Sequence, residues 1–180
     1  MITIKEKQSK VFDLLKSDFK YKNKMQAPKL VKVVVSSGTG KIADKKKKEQ
    51  IGERLMKITG QKPRQTAAKK SIASFKVREG DPVGYQVTLR GERMMNFLEK
   101  LINIAIPRTK DFRGLKATSI DAMGNMTLGI KEHTIFPETA DEDVKDSFGL
   151  AITIVTTGKT KEETKAFLAH IGLPFVKNVK

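Results

Sequence analysis

One segment of the chain, residues 83–90, alternates between two kinds of side chain, and this limits the folds open to it. Its odd positions are apolar and its even positions are not: Val83, Tyr85, Val87 and Leu89 alternate with Gly84, Gln86, Thr88 and Arg90. Successive side chains of a β-strand point to opposite faces of a sheet. The segment is therefore predicted to be a strand with one face in a core and with hydrogen-bonding groups and a cation on the other.

Three further segments show the same one-sided pattern. The residues predicted to face inward are Val31, Val33 and Val35, then Met126, Leu128 and Ile130, and finally Leu150, Ile152 and Ile154. Strands that are apolar on one face only are typical of antiparallel sheets covered by helices on one side. We predict an α+β fold: a single, largely antiparallel β-sheet with helices packed on one face, an open polar face and a long basic loop.

Helical spacing of apolar residues predicts four helices, over residues 3–20, 45–59, 92–105 and from Thr160 to His170. Asp44 and Thr160 are suitable N-caps, and Gly60 follows the second helix as a stop signal. The predicted order is helix, strand, helix, central hairpin, helix, strand, strand, helix. A chain of 180 residues fits one domain over 1–180, with residues 1–20 as an N-terminal helix and 176–180 as a basic tail.

The open face of the predicted sheet collects polar and cationic side chains and no aromatic one. Its members are Lys32, Ser36, Gln86, Thr88, Arg90, Thr127, Lys131 and Thr153. Proteins that read single-stranded RNA stack bases on aromatic side chains, whereas folded RNA is reached through phosphates, groove edges and 2′-hydroxyls. The composition of this face favours folded RNA.

The net charge of +16, from 36 Lys and Arg against 20 Asp and Glu, independently predicts a polyanionic partner. The excess lies in residues 1–116 and includes the basic loop over 69–81, which lacks the periodicity to bury itself and is expected to be mobile. Residues 117–160 are acidic instead, chiefly through Glu138, Asp141, Glu142, Asp143 and Asp146. One molecule is thus predicted to present a basic side and an acidic patch to different partners.

Several classes of protein find little support. The chain has no cysteine, no apolar run of membrane-spanning length and no secretory signal at its N-terminus, so a cytoplasmic location without membrane insertion is expected. The two histidines, His133 and His170, are far apart, and the acidic residues lack the spacing of a calcium loop, so neither catalysis nor a metal site is predicted. Binding to an anionic membrane surface stays open as an alternative.

The turn at residues 38–43, GTGKIA, matches a dinucleotide-binding pattern but lacks the acidic residue expected about 20 positions later. No small-molecule cofactor is therefore expected, and a nucleotide-dependent RNA enzyme is kept only as an alternative. The four lysines at 45–48 stand at the start of a predicted helix, where cations oppose the helix dipole. Alone they fit a solvated charge run, and beside a helix N-terminus they also fit an RNA-facing feature.

Eight runs of the sequence, taken together, carry a family resemblance. They are residues 58–63 (ITGQKP), 69–73 (KKSIA), 75–80 (FKVREG), 87–94 (VTLRGERM), 111–114 (DFRG), 124–125 with 127–132 (GN with TLGIKE), 135–138 (IFPE) and 152–157 (ITIVTT). In this order they resemble the bacterial large-ribosomal-subunit protein five family, the 5S rRNA binders, over roughly residues 20–175.

The resemblance implies a structural constituent of the large ribosomal subunit, not an enzyme. It would bind 5S rRNA, help attach it to large-subunit rRNA in the central protuberance, contact the P-site tRNA and meet small-subunit protein thirteen at an inter-subunit bridge. Carried over by position, the rRNA-contact candidates are Lys32, Ser36, Gln61, Lys62, Arg64, Thr66, Thr88 and Arg90.

The same resemblance makes residues 69–81 the tRNA-facing loop, with Lys69, Lys70, Ser71, Phe75, Lys76 and Arg78 as its candidates. The acidic Asp141, Glu142 and Asp143 are bridge candidates on the strength of their charge. Ser36 departs from the family, whose members commonly have Asn there, and a hydroxyl lacks the paired donor and acceptor of an amide. The lysines at 45–48 and the tail have no counterpart in the resemblance.

Overall fold

The computed structural model describes residues 3–40, 42, 44–110, 112–140 and 147–176. Within these residues the α-helices are α1 (Ile4–Phe19), α2 (Lys45–Thr59), α3 (Gly91–Lys100) and α4 (Lys161–Ile171). The strands are β1 (Leu30–Gly38), β2 (Arg64–Ala67), β3 (Pro82–Leu89), β4 (Met126–Ile130) and β5 (Leu150–Thr156). No helix in the described part of the chain is both long and apolar enough to cross a bilayer.

The five strands form one open antiparallel sheet in the order β2-β3-β1-β5-β4, which confirms the predicted α+β fold class. The predicted central hairpin is the pair β2–β3, in which Arg64 lies opposite Gln86 and Thr66 opposite Gly84. Side chains on β5 alternate as expected, with Leu150, Ile152 and Ile154 buried and the intervening residues half-buried.

By its internal packing the chain forms two compact units. Unit 1 comprises Met1–Val33, Arg90–Leu128 and Thr153–Lys180, and unit 2 comprises Val34–Leu89 and Gly129–Ile152. Each unit has its own apolar interior.

Helix α2 supplies the helical cover of unit 2. Its first turn is capped by Asp44, whose carboxylate accepts a hydrogen bond from the amide of Lys46 at 2.9 Å, and Gly60 ends it in a left-handed conformation. The predicted stripe of Ile51, Leu55 and Ile58 is buried. Gly52 faces the ring of Tyr85, which lies only 3.1 Å from where a Cβ would stand. The absence of a side chain at residue 52 therefore lets α2 approach the apolar face of β3.

Strand β1 departs from its predicted pattern at one end. Val33 and Val35 are buried as expected, but Val31 is 36% exposed, so its predicted inward position is wrong. Val31 is the second residue of the strand, next to its end, whereas Val33 and Val35 lie in its middle. Leu30 is also buried, although alternation puts it on the face of Lys32 rather than that of Val33. At the other end Ser37 is buried, and its hydroxyl donates to the carbonyl of Gly149 at 2.8 Å.

Unit 1 is held together by contacts between α1 and α4. Thr3 and Glu6 form a reciprocal cap at the start of α1. At the end of α4 the ammonium of Lys7 donates to the carbonyl of Ile171 at 2.8 Å, and the Nε2 of His170 lies 2.9 Å from the carbonyl oxygen of Lys7. The bond from Lys7 satisfies a helix-end carbonyl that has no partner inside its own helix.

A buried polar pair links the connector after α1 to α4. The hydroxyl of Tyr21 donates to Glu163, which is itself buried and also accepts the amide of Lys159 at 2.7 Å. Burial, together with the hydrogen bond and the charge of Glu163, raises the pKa of Tyr21 above its usual range. Thr160 caps α4 as predicted, by accepting the amide of Glu163 at 3.2 Å.

The helix predicted over residues 92–105 is not a regular α-helix throughout. It begins at Gly91, and beyond Lys100 it continues as a turn of π-helix over Leu101–Ala105. The amide of Ile106 accordingly donates to the carbonyl of Leu101 at 2.9 Å, five residues back. Leu101 and Ala105 are fully buried, so the widened turn lies in the interior of unit 1.

A tight turn at residues 121–125 precedes β4. The carboxylate of Asp121 accepts the amides of Met123 and Asn125 at 2.9 and 2.7 Å, and the bonds from the backbone and side-chain amides of Asn125 are the main cause of the lowered pKa of Asp121. Gly124 has φ +74°, and a Cβ there would stand 2.7 Å from the Oγ1 of Thr164 and closer still to the carbonyl oxygen of Gly158. Residue 124 therefore requires glycine both for its backbone conformation and for its packing.

We expect the substitution Gly124→Ala to lower the free energy of unfolding by about 2–4 kcal/mol, because the left-handed conformation and the contact with the Gly158 backbone both oppose a methyl group. Urea unfolding followed by circular dichroism measures the change. Gly129→Ala is the control, since residue 129 lies in β4 with open space around its Cβ position and should change stability by less than about 1 kcal/mol. Equal effects of the two substitutions would contradict this account.

Candidate RNA interface

The polar face of unit 2 is built by the hairpin of β2 and β3. Residues that lie directly opposite each other in an antiparallel pair share one face of the sheet. The register therefore puts Arg64 beside Gln86 and Thr66 beside Gly84 on the face opposite to Tyr85. Arg64 is exposed, and Thr66 and Gln86 are half-buried. A guanidinium, an amide and a hydroxyl are thus held side by side on a rigid backbone.

Gly84 is buried in this row, at a point where two strands lie close together. A Cβ at residue 84 would stand 2.8 Å from the carbonyl oxygen of Ser37 and 3.0 Å from the Oγ1 of Thr66. Backbone of β1 and β3 can approach closely here because no side chain intervenes. The glycine was predicted on the polar face, but its role in packing was not predicted from sequence; a glycine inside a strand pattern was the available signal.

The start of β2 is tied to the end of β3. The side-chain amide of Gln61 donates to the carbonyl of Thr88 at 3.4 Å, and the hydroxyl of Thr59 donates to the carbonyls of Leu55 and Gln61 at 2.7 and 3.1 Å. Gln61 thus has a structural role beside its predicted RNA contact. Lys62, the next residue, is exposed, and Thr88 and Ser36 of unit 2 are both half-buried.

Unit 1 carries further polar residues that were predicted for the open face. Lys32 is half-buried and Arg90 is exposed at the N-cap of α3. The hydroxyls of Thr127 and Thr153 are 3.1 Å apart on the neighbouring strands β4 and β5. A hydroxyl has one donor and two acceptor positions, so each threonine keeps capacity for a further hydrogen bond.

The basic loop at residues 69–81 has regular hydrogen bonding, which the sequence did not predict. Its base is closed by bonds from the amide of Ala68 to the carbonyl of Asp81 and from the amide of Gly80 to the carbonyl of Ala68, at 2.9 and 3.0 Å. Nearer the tip, Ile72 and Val77 pair through two backbone bonds at 2.9 and 3.3 Å. The segment is thus a narrow hairpin extension of β2 and β3.

The tip of this extension exposes one aromatic ring among cations. Phe75 is 72% exposed, and the other candidates of the loop are all exposed: Lys69, Lys70, Ser71, Lys76 and Arg78. Lys76 has a left-handed φ of +50° and closes a short 3₁₀ turn. The hydroxyl of Ser71 accepts the amide of Glu79 at 2.9 Å, which ties the two sides of the loop together.

The lysines at 45–48 lie beside the base of this loop in unit 2. The ammonium of Lys48 donates to the carbonyl of Pro82 at 3.4 Å, where the loop rejoins β3. Lys45 and Lys46 are exposed, and the first turn of α2 contains no acidic residue. Asp44 already accepts the amide of Lys46, so this N–H group of the helix end is used within the protein.

Two features predicted from sequence have a limited structural description. Asp141, Glu142 and Asp143 lie outside the described residues, as do Lys41 and Ala43 of the glycine-containing turn. In that turn the amide of Thr39 donates to the carbonyl of Val83 at 2.8 Å, so one of its N–H groups is used within unit 2.

One of the two histidines has a structural role in unit 2. His133 is fully buried, and its Nδ1 accepts the amide of Phe148 at 3.3 Å. The two rings are also stacked, with their centroids 4.2 Å apart. The position of His133 in the interior of unit 2 fits packing rather than contact with a ligand.

Comparison with known families covers most of the chain. The family model described as ribosomal protein L5 matches residues 23–78, and the model described as the C-terminus of the same ribosomal protein family matches residues 82–175. The two matches meet in the basic loop between β2 and β3.

Relatives of similar length agree with the two family models. The large ribosomal subunit protein uL5 of Flavobacterium johnsoniae is 51% identical over 174 residues, which are 96% of this chain and 95% of that protein. The protein of the same name from Ureaplasma parvum serovar 3 is 50% identical over 171 residues, 94% of this chain and 93% of its own length. With both family models and near full-length identity in agreement, the chain belongs to the uL5 family of large-ribosomal-subunit proteins.

Proposed function

We propose that this chain binds 5S rRNA through the polar sheet face and helps attach it to large-subunit rRNA in the central protuberance. We further propose that residues 69–81 contact the P-site tRNA and that the acidic run of Asp141, Glu142 and Asp143 meets small-subunit protein thirteen. The observation that carries the first proposal is the row formed by Arg64 beside Gln86 and Thr66 beside Gly84. The role is one of binding, and no chemical step is assigned to any residue.

The chemistry of the row suits folded RNA. A guanidinium binds phosphate oxygens through two parallel N–H groups, and hydroxyls and amides can both donate to and accept from ribose 2′-hydroxyls. Because Arg64, Thr66 and Gln86 extend from two hydrogen-bonded strands, little conformational entropy of the backbone is lost when they bind.

The loop differs from the sheet face in its chemistry. Phe75 stands exposed at the tip of a hairpin, and an exposed aromatic ring flanked by cations can stack on an unpaired base or on a base pair at the end of a helix. The cations Lys69, Lys70, Lys76 and Arg78 would meet phosphates on either side. The sheet face and the loop therefore suit two different nucleic-acid contacts, one made by hydrogen bonds and the other by stacking.

We expect Arg64→Ala and Thr88→Val each to weaken 5S rRNA binding by about 1–2 kcal/mol, roughly five- to thirty-fold, because each removes a hydrogen-bonding group from the face. Filter binding at several salt concentrations measures the effect. Arg64→Ala should also lower the slope of log affinity against log salt concentration, by about one released counterion. Lys57→Ala is a charge-matched control, since this exposed lysine lies on α2. An unchanged affinity in both face variants would rule out the sheet face as the 5S rRNA site.

For the loop, we expect Phe75→Ser to speed dissociation of P-site tRNA from ribosomes that carry the variant, by roughly ten-fold if one stacking contact is lost. The affinity for 5S rRNA should stay unchanged, because the ring lies outside the sheet face. Met56→Ser is the control for removing an exposed apolar side chain from unit 2, since Met56 is 43% exposed on α2. A loss of 5S rRNA binding in Phe75→Ser, with tRNA dissociation unaltered, would contradict the assignment.

The acidic run is supported by charge alone. We expect the triple substitution of Asp141, Glu142 and Asp143 by Asn to reduce subunit joining, because three carboxylates complementary to a basic partner are neutralised. Light scattering on mixing the two subunits measures joining, with 5S rRNA content of the large subunit as the internal control. Equal loss of joining and of 5S rRNA content would show that the run supports the large subunit itself.

A further inference from the structure

Unit 1 contains an apolar groove that none of the roles described above uses. Its volume is about 500 Å³, and it is lined by α1, by the connector that precedes β1 and by the start of α3. The apolar part of the lining comes from Phe12, Met25, Ala27, Pro28 and Met95. Grooves of this size admit a few side chains of a ligand or peptide.

One wall of the groove is an unusually exposed apolar side chain. Met25 is 74% exposed, although it stands among Phe12, Pro28 and Met95. Methionine side chains adapt to irregular partners, and they are common on protein-binding surfaces. An apolar side chain held open to water beside an apolar floor gains free energy when a partner covers it.

The charges around the groove define what can cover it. Three lysines contribute to the lining, Lys5, Lys24 and Lys29, against the single acid Glu92. The ammonium of Lys29 lies 3.7 Å from the sulfur of Met25, so this cation stands directly at the apolar wall. The surroundings are cationic overall and favour an occupant with carboxylates next to its apolar part.

We propose that this groove binds a short acidic segment of a partner protein. The segment inserts a large apolar side chain against Phe12 and Met95 and sets carboxylates against Lys5, Lys24 and Lys29. A peptide supplies both features within a few residues. RNA phosphates could meet the lysines, but a groove with walls of Phe, Pro and Met suits an aliphatic or aromatic side chain of a peptide better than the sugar-phosphate backbone.

The probe is a fluorescein-labelled hexapeptide, Glu-Glu-Leu-Phe-Glu-Glu, titrated with the full chain and followed by fluorescence anisotropy. The matched peptide Glu-Glu-Ser-Ser-Glu-Glu keeps the charge and removes the apolar anchors. We expect the first peptide to bind at least about ten-fold more tightly, since two large apolar side chains are buried only in that complex. Equal binding of the two peptides, or no binding of the first at millimolar concentration, would overturn the proposal.

The chain offers a matched pair of protein variants. Met25→Glu puts a carboxylate into the wall of the groove and should weaken the Leu-Phe peptide by about ten-fold or more. Met123→Glu makes the same change at a methionine of unit 1 that is 76% exposed and does not line the groove, and it should leave the affinity within about two-fold of the parent. Both sites are exposed, so both variants are expected to fold. An equal loss in the two variants would overturn the proposal by showing that only the net charge matters.

One further measurement completes the test. A short RNA hairpin serves as competitor. If the hairpin displaces the peptide and Met25→Glu weakens hairpin binding as much as peptide binding, the groove is a nucleic-acid surface and the proposal is wrong.

Discussion

The register of β2 against β3 is the constraint on which the polar face of unit 2 depends. Side chains alternate with a period of two, so a slip of one residue would exchange the two faces of the strand. The observed register puts Arg64 opposite Gln86, while Tyr85 turns toward Gly52 of α2. The packing of one aromatic ring against one glycine thus fixes where a guanidinium and an amide meet solvent. Gly84 of the same strand comes close to the carbonyl of Ser37, where any larger residue would push β1 and β3 apart.

The polar surfaces of the protein differ in how they are supported. The sheet face rests on ladder hydrogen bonds and on the bond from Gln61 to Thr88, so its side chains extend from fixed positions. The basic loop is closed by its own backbone bonds at Ala68 and at Ile72, and it carries Phe75 on a turn of a few residues. A fixed face suits the permanent partner expected of a ribosomal protein, and a narrow projecting hairpin suits a ligand that exchanges.

Much of the fold could be predicted because its signals are local. The limits of α2 follow from Asp44 and Gly60, which act within one turn of the chain, and the inward residues of β5 follow from alternation alone. The exceptions involve interactions between distant residues. Val31 was expected inside, but it is exposed near the start of β1, and the helix that begins at Gly91 widens into a turn of π-helix at Leu101. Neither outcome has a signature in the neighbouring sequence.

The candidate site, too, could be predicted from the sequence only in part. Composition and alternation identified Thr88, Gln86 and Arg90 as polar residues of an open face, and a resemblance to a family supplied Arg64 and Thr66. Only the register showed which of these stand side by side, since pairing joins residues about 20 positions apart.

The sequence by itself determined the class of fold, the polyanionic character of the expected partner and the family, because charge and hydrophobic period are properties of neighbouring residues. Tertiary structure alone decided the close approach of β1 and β3 at Gly84, the ordered hairpin that carries Phe75, and the groove at Met25. Each of these depends on the distance between segments that are separated in sequence, and no local pattern encodes such a distance.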